Sequence, residues 1–447
     1  MQPETIAIGT RPTTYLDPWQ FTLETSQETL CRLFGVTSLA GYGCADLPLA
    51  VRAAGALVAY LEQTHKQLLT LLDGLKTYAP DEFVRLDGFT RRNLELIESR
   101  GAVGRTPDGA ARPTLFAVLD DTRTPMGGRL LRRWLGQPVR DLVELRRRHD
   151  AVHSLYADGV LRAELRALLA RIADLERLTN RVRQGIALPR DLLALRQTLL
   201  AAAEVRRLPT TEDSAIAALL TRVDPCDDVA ALIERAVFDA ALDGPNAPKI
   251  GSWEEERLIK PGYAPELDQL VQSSADARAW IAGLEALERE RTGIKSLKVG
   301  FNKVFGYYLH VSHAYKGEVP SHYIRRQTLA DGERYITPEL KEYENVVLHA
   351  AERITELERA IFSQLQREIA RRADALLTTG AALAQLDTLA SFAEVALRRA
   401  YVRPELDDGD SLEIADGRHP VVEYALEQAT AQLGQPTAFV PNDCLLS

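Results

Sequence analysis

The sequence predicts a mainly α-helical protein with long helical arms, a small β-rich insertion between them and a truncated α/β segment at the C-terminus. Apolar residues recur every three or four positions over most of the chain, which is typical of amphipathic helices. Over 297–325 the pattern changes to β-branched and aromatic residues with Gly and Asn between them, which favours strands. From Tyr401 it changes again, to short strand-like pieces around Pro404.

The N-terminal half predicts a bundle of amphipathic helices. A helical pattern covers 48–72, between two prolines that can open and close it. Thr124 and Pro125 indicate a helix start, because threonine caps helix N-termini and proline fits the first helical position. That helix should stop before Pro138. Leucine-rich stripes then continue over 139–205.

The two longest helical patterns flank the β insertion. A break rich in Gly and Pro covers 243–263, and a helix resumes over 267–287. After Pro338 a longer helical run is interrupted only by Gly380 before Ala400. At about 1.5 Å per residue such a run reaches tens of ångströms if it is unbroken. The plainest architecture is two long helical arms with a hairpin and a third strand, near 323–325, at the tip.

Composition excludes several classes of function. A chain of 447 residues suggests two to four domains, and the net charge of −9 argues against a protein that binds nucleic acid over its whole surface. Its four cysteines are scattered and its histidines form no metal-binding motif, so no metal site is expected. No P-loop or Gly-x-Ser-x-Gly motif occurs, and no catalytic residue is assigned. Without a secretory pattern or a long apolar run, the cytoplasm is the expected location, with no membrane association.

Positive charge is concentrated in the β insertion. Between Arg289 and Ala330 there are eight basic residues against two acids, Glu290 and Glu318. Lysine and arginine neutralise DNA phosphates, while amides and hydroxyls fix the register on the duplex. The predicted DNA-backbone contacts are Lys295, Lys298, Asn302, Lys303, Arg325, Arg326 and Thr328. The alternative is a solvated surface without function, because exposed turns often carry charge clusters.

Several stretches, in order along nearly the whole chain, resemble the bacterial MutS family of DNA mismatch-repair proteins. The longest runs from Glu288 to Asn302 and continues through Phe305-Gly306-Tyr307-Tyr308. Others are Arg325-Arg326-Gln327-Thr328-Leu329, Glu333–Glu344, Thr124-Pro125-Met126-Gly127 and Gly417–Glu423. The resemblance implies a connector-domain remnant at 1–28, core and first lever helices at 29–275, a clamp at 276–338, a returning lever helix at 339–397 and the N-terminal piece of an ATPase domain at 398–447.

The resemblance also implies partners and cofactors. In the family, clamps of two subunits close around double-stranded DNA, and mismatch reading belongs to an N-terminal domain with an intercalating aromatic residue. Full-length relatives are expected to bind ATP and Mg, to form homodimers and to work with MutL in the bacterial cytosol or nucleoid. By the same likeness Phe439, Val440 and Asn442 form an incomplete adenine half-site. The chain itself is expected to be neither an ATPase nor a holder of cofactors, and a monomer is the expectation for it.

One departure leaves alternatives open. Where many relatives have a lysine-asparagine pair, this sequence has Ala330-Asp331-Gly332, which removes a phosphate donor and adds a negative charge. A structural or interaction module without DNA affinity, or a divergent MutS relative, therefore stands beside the DNA-gripping function. A free-standing enzyme ranks last, because no catalytic motif is complete.

Overall fold

The computed structural model describes residues 15–72, 74–78, 80–97, 113–210, 214–239, 257–302, 306–433 and 439–446. Its internal contacts divide the chain into two units. One contains Met1–Ala187, Gln197–Cys226 and Ala373–Ser447, and the other contains Leu188–Arg196 and Asp227–Arg372. Most described residues are helical and the sheets are small, so the predicted fold class is confirmed.

The first unit begins with a series of helices. In chain order they are α1 (Leu23–Phe34), α2 (Pro48–Thr64), α3 (Gly88–Asn93), α4 (Leu115–Leu119), α5 (Pro125–Gly136), α6 (Leu142–Ala157), α7 (Gly159–Leu169), α8 (Leu175–Arg183), α9 (Pro189–Arg206), whose first residues belong to the second unit, and α10 (Ala215–Leu220).

The second unit holds α11 (Asp227–Ala236), α12 (Pro265–Thr292), β1 (Lys298–Asn302), β2 (Gly306–Ser312), β3 (Ile324–Thr328), β4 (Gly332–Ile336) and α13 (Pro338–Ala370). The chain then returns to the first unit with α14 (Ala373–Arg399), β5 (Leu412–Gly417), α15 (Pro420–Leu433) and β6 (Asn442–Leu446).

Helix α5 starts and stops where the sequence predicts. Thr124 Oγ1 accepts a hydrogen bond from the Gly127 amide at 3.0 Å, and Pro125 occupies the first turn. The carboxylate of Asp387 on α14 lies beneath this N-terminus and accepts hydrogen bonds from the amides of Arg123 and Thr124. Because Asp387 is fully buried, these donors provide the hydrogen bonds that water would otherwise make.

Two predicted helix boundaries are wrong. The pattern over 48–72 ends as an α-helix at Thr64, and a 3₁₀ helix follows at Lys66–Leu71. The long run after Pro338 breaks at 371–372 instead of at Gly380. Gly380 lies inside α14, where the Sδ of Met126 is 3.5 Å from the position that a Cβ would take, so this glycine allows close packing.

The four-stranded sheet of the second unit has the strand order β1-β2-β4-β3, with every neighbouring pair antiparallel. The predicted hairpin and the third strand near 323–325 are confirmed. Strand β4 was not predicted, because all its residues are buried or half-buried and it lacks the alternation of a half-exposed strand. One face of the sheet packs on α12 and α13 through Leu297, Leu309, Val311, Tyr323 and Tyr335.

Helices α12 and α13 pack along each other within the second unit. The rings of Trp280 and Tyr343 stack with centroids 3.9 Å apart and planes inclined by 17°. Ala277, Ile281, Leu284, Leu340 and Val347 are buried in the same cluster as the sheet residues. A shared core therefore joins the sheet to both helices.

The C-terminal residues form a two-stranded antiparallel sheet, β5 with β6. Strand β6 includes Asn442 and Asp443. In the described part of the chain, no helix has the length and apolar character needed to cross a membrane.

Candidate nucleic-acid interface

One row of polar side chains crosses all four strands of the β1–β4 sheet. Lys298 in β1 is opposite His310 in β2, His310 is opposite Arg334 in β4, and Arg334 is opposite Gln327 in β3. Their sequence neighbours Leu309 and Tyr335 belong to the core. Because side chains alternate across a strand, the row lies on the face opposite the core. We call this surface the outer face.

Glycines in neighbouring strands make room for the large side chains of the outer face. A Cβ on Gly300 would lie 2.6 Å from the ring of Tyr308, so that ring covers the glycine. The guanidinium carbon of Arg334 is 4.2 Å from the centre of the same ring, and its Nη1 donates to Gln327 Oε1 at 2.9 Å. The cation of Arg334 is thereby held in a fixed position on the sheet.

Three predicted contacts are exposed cations: Lys295 in the turn before β1, Lys298 in β1 and Arg326 at the bulge of β3. None of them forms an ion pair with another residue in the described ranges. Their charges are therefore available to an anion in solution. Thr328, also exposed, ends β3 and contributes a hydroxyl.

Arg325 differs from the other predicted cations. Its register opposite Tyr335 directs it to the core side of the sheet, where its Nη1 lies 3.4 Å from Glu333 Oε1. Burial and a 2.5 Å hydrogen bond to Glu333 raise the pKa of Tyr335 to about 12, so its phenol stays a donor at neutral pH. Arg325 thus offsets a buried carboxylate, and less of its charge is available to DNA.

Asn302 lies apart from Lys295 and Lys298. It ends β1 opposite Gly306, four residues from Lys298, which is about 13 Å along an extended strand. Lys303 follows it and lies outside the described residues. The structure therefore does not bring Asn302 together with Lys295 and Lys298.

The remaining basic residues near the start of the sheet stabilise the fold. Arg289 forms an ion pair with Glu285 at 2.8 Å and donates to the Leu297 carbonyl at 2.7 Å. Arg291 lies 3.4 Å from Glu288, a buried carboxylate that also accepts a hydrogen bond from the Tyr323 hydroxyl. Burial of Tyr323 and its contact with Glu288 raise the pKa of this phenol.

Sequence reasoning did not assign His310, Gln327 and Arg334 to the surface. Arg334 belonged to a stretch named only for its family resemblance, and β4 was not predicted as a strand. The signal is the register, because only strand pairing puts residues 298, 310, 334 and 327 in one row. Asp331, in the turn before β4, lies 3.7 Å from His310 and brings a negative charge close to this row.

The predicted adenine half-site contains apolar surface and a side-chain amide that is hydrogen-bonded within the chain. The side chain of Val440 is largely exposed and Phe439 is half-buried. The Asn442 side-chain amide donates to the Val440 carbonyl at 3.0 Å. Within the described ranges, no group of His, Cys, Asp or Glu is arranged to hold a metal ion.

Family models match almost the entire chain. The model for MutS domain III matches residues 89–393, and the model for MutS domain II matches residues 4–101. The chain belongs to the MutS family. The domain II match extends well beyond residue 28, and the two MutS matches overlap at 89–101.

The curated MutS relatives are similar over most of this chain. A "DNA mismatch repair protein MutS" from Symbiobacterium thermophilum is 47% identical over 414 residues, which is 92% of this chain and 45% of the relative. Proteins of the same name from Dehalococcoides mccartyi and Salinibacter ruber are 41% and 43% identical, over 97% and 96% of the chain and 48% and 45% of the relatives. The chain thus spans about half the length of the curated relatives it matches.

A glycine that the MutS resemblance includes provides a stability test of the sheet. Gly306 has φ +79°, and a Cβ there would overlap the Glu344 carboxylate. This carboxylate accepts a hydrogen bond from the Tyr307 amide. We expect Gly306→Ala to lower the free energy of unfolding by about 2–3 kcal/mol, measured by urea denaturation. Gly293 has φ +74° with open space around it, so Gly293→Ala should cost only about 1 kcal/mol. Equal costs for the two variants would mean that the overlap with Glu344 is unimportant.

Proposed function

We propose that this chain is the lever-and-clamp part of a DNA mismatch-repair protein, and that the β1–β4 sheet, as the clamp, grips the phosphate backbone of double-stranded DNA. The observation that carries this proposal is the set of exposed cations without ion pairs on and beside the sheet. Lys295, Lys298 and Arg326 are free of carboxylates in the described ranges, and Arg334 is held on the outer face by Tyr308. The names of the relatives support the repair role.

The dimensions of the outer face suit a duplex. Strands lie about 4.8 Å apart, so the row from Lys298 to Gln327 is about 14 Å long. Phosphates recur every 3.4 Å along the axis of each DNA strand, so a row of this length spans several of them. Contacts of this kind neutralise charge without reading bases. The grip should therefore be independent of sequence.

The arms give the clamp a mechanical role in this proposal. Helices α12 and α13 have 28 and 33 residues, which corresponds to roughly 42 Å and 50 Å of helix. Their shared core with the sheet suits the transmission of force from DNA. We propose that 29–275 are the core and first lever helices, 276–338 the clamp and 339–397 the returning lever helix, and that 398–447 are the N-terminal piece of the ATPase domain of the full-length protein. In that protein they would couple DNA binding to ATP cleavage.

The test is the fluorescence anisotropy of labelled duplexes with and without a mismatch, titrated with this chain across a salt series. The proposal predicts equal affinity for both duplexes and a steep fall of affinity with salt, because phosphate neutralisation releases counterions. A lack of binding at low salt would contradict it. Mismatch preference by the chain would show that the recognition extends beyond the backbone.

A second candidate function is an interaction module with no useful DNA affinity. The observations that favour it are the net charge of −9 and the carboxylate of Asp331, 3.7 Å from His310. Under this hypothesis, Asp331→Asn would leave DNA binding absent. Under the clamp proposal the same substitution should strengthen DNA binding, because it removes a negative charge beside His310.

The proposal extends to the partners of the full-length protein. It would act as a homodimer with MutL in the bacterial cytosol, using ATP and Mg, with Phe439 and Val440 packing on adenine and Asn442 beside them. ATP would supply the phosphoanhydride whose cleavage resets the protein. The described residues provide one apolar surface for the base, and this chain should neither cleave ATP nor dimerise strongly.

Binding of ATP by this chain should accordingly be very weak. Without a loop that holds phosphates, we expect dissociation constants above about 1 mM by isothermal titration, since the helix N-terminus and backbone donors of such a loop supply most of the affinity. A Val440→Asp variant serves as control and should show the same heat signal as buffer. Micromolar binding that Val440→Asp abolishes would mean that the half-site is more complete than proposed.

A further inference from the structure

A large apolar cavity lies inside the first unit, away from the sheet described above. It occupies about 590 Å³ between α5, α6, α14 and the segment 401–404. Its walls include Leu135, Val152, Phe392 and Val395. Cavities that bind small organic molecules usually measure about 300–1,000 Å³ and have mainly apolar walls. In size and character this cavity is therefore a small-molecule site.

Four basic side chains line the cavity, namely Arg148, Arg403, His149 and His153. Among the described residues that line it there is no carboxylate. Arg148 stacks on Trp134 at 3.7 Å and pairs with Glu144, which fixes its position. Arg403 pairs with Asp150 at 2.7 Å, but both side chains are substantially exposed, so this ion pair is weak and can be displaced.

His149 adds a neutral polar group. Burial lowers the pKa of its imidazole, and the nearby Arg403 lowers it further. At neutral pH the ring is therefore uncharged and offers one N–H donor. The cavity thus combines an apolar interior with donors and one accessible cation.

We infer that this cavity binds a small, flat, apolar molecule with one anionic group, such as an aryl carboxylate or sulfonate. The apolar body packs against Val152, Phe392 and Val395. The anion lies toward Arg403. This inference is independent of the proposed grip on DNA, because it uses none of the sheet residues.

The probe for this site is 8-anilinonaphthalene-1-sulfonate, whose fluorescence rises in apolar surroundings. Its matched control is N-phenyl-1-naphthylamine, which has the same rings without the sulfonate. We expect saturable binding of the sulfonate at one site, with energy transfer from Trp134. The variant Trp134→Phe should bind with similar affinity and lose most of that transfer.

Two substitutions test the contribution of the probe's anionic group to binding. Arg403→Gln should weaken binding of the sulfonate about tenfold, because the sulfonate loses a charge-assisted hydrogen bond. The uncharged amine makes no such bond, and its binding should weaken less than twofold. Asp150→Asn should tighten binding of the sulfonate by about threefold, because it frees Arg403. Asp150 and Arg403 are surface residues, so both variants should keep the fold.

A third substitution tests the location. Ala396→Trp should place an indole ring in the cavity and weaken the binding of both probes at least tenfold. The circular dichroism spectrum should stay unchanged. Val160→Ser, at an exposed position of α7, should change neither affinity. The inference is overturned if Arg403→Gln, Asp150→Asn and Ala396→Trp all leave the sulfonate's affinity unchanged, since the probe would then bind elsewhere.

Discussion

Reversing the charge of Lys298 and Arg326 together should weaken binding to duplex DNA by about a hundredfold at low salt. Each side chain contributes one phosphate contact in the clamp proposal, and each glutamate would repel the backbone that the original residue attracted. The slope of log K against log salt should become shallower by about two, because about two fewer counterions are released. The measurement is the anisotropy salt series, with the Lys298→Glu, Arg326→Glu double variant beside the parent.

The matched control has the same net charge. Arg353 and Arg359 are exposed on α13, away from the sheet, and their reversal changes the total charge by the same four units. If overall acidity governs binding, the two double variants will lose affinity equally. If the sheet grips DNA, the α13 variant should lose less than about threefold at physiological salt, where screening extends over about 8 Å.

Arg325 and Arg334 distinguish the two faces of the sheet. Arg334 lies on the outer face, whereas Arg325 is paired with Glu333 on the core side. Replacing Arg334 by Gln should therefore weaken DNA binding more than replacing Arg325. The Arg325 variant should mainly destabilise the sheet, because it leaves a buried carboxylate without its cation.

Local sequence signals predicted the parts of the fold that depend on neighbouring residues. The start of α5 follows from Thr124 and Pro125, and the hairpin follows from the change of period around residue 300. The break at 371–372 has no such signal, because neither position is Gly or Pro and the helical pattern continues across it. Gly380 suggested a break because glycine disfavours helices, but contacts with Met126 and Leu175 decide its role.

The sequence predicted that basic residues are concentrated in the β insertion, but not on which face of the sheet each of them lies. The excess of Lys and Arg over 289–330 identified Lys298 and Arg326 correctly as exposed cations. It could not separate Arg325 from Arg326, because the bulge between Arg325 and Gln327 changes which face each residue meets. The contribution of Arg334 depends on pairing between β2 and β4, which are more than twenty residues apart in sequence. The DNA contacts themselves stay predictions.

A buried carboxylate in the first unit gives the largest expected effect on stability. Asp387 lies in an apolar stretch of α14 and accepts hydrogen bonds from the Arg123 amide at 2.9 Å, the Thr124 amide at 2.8 Å and the Thr124 hydroxyl at 2.7 Å. Burial raises the pKa of Asp387, while these donors and Arg166 act in the opposite direction. The Asp387→Ala substitution removes the acceptor of two buried donors on Thr124 and of the part-buried Arg123 amide. We expect it to lower the free energy of unfolding by about 3–5 kcal/mol in urea titrations.

A substitution at Gly127 tests whether this loss of stability arises from the contacts of Asp387. A Cβ on Gly127 would overlap the Asp387 carboxylate, so Gly127→Ala should also destabilise the unit, by about 2–3 kcal/mol. In the Asp387→Ala background that overlap disappears, and the cost of Gly127→Ala should fall below about 1 kcal/mol. Asp408→Ala, at an exposed position, should cost less than about 0.5 kcal/mol. Additive costs for Gly127 and Asp387 would show that the two sites act independently, and that the α5 N-terminus does not depend on this carboxylate.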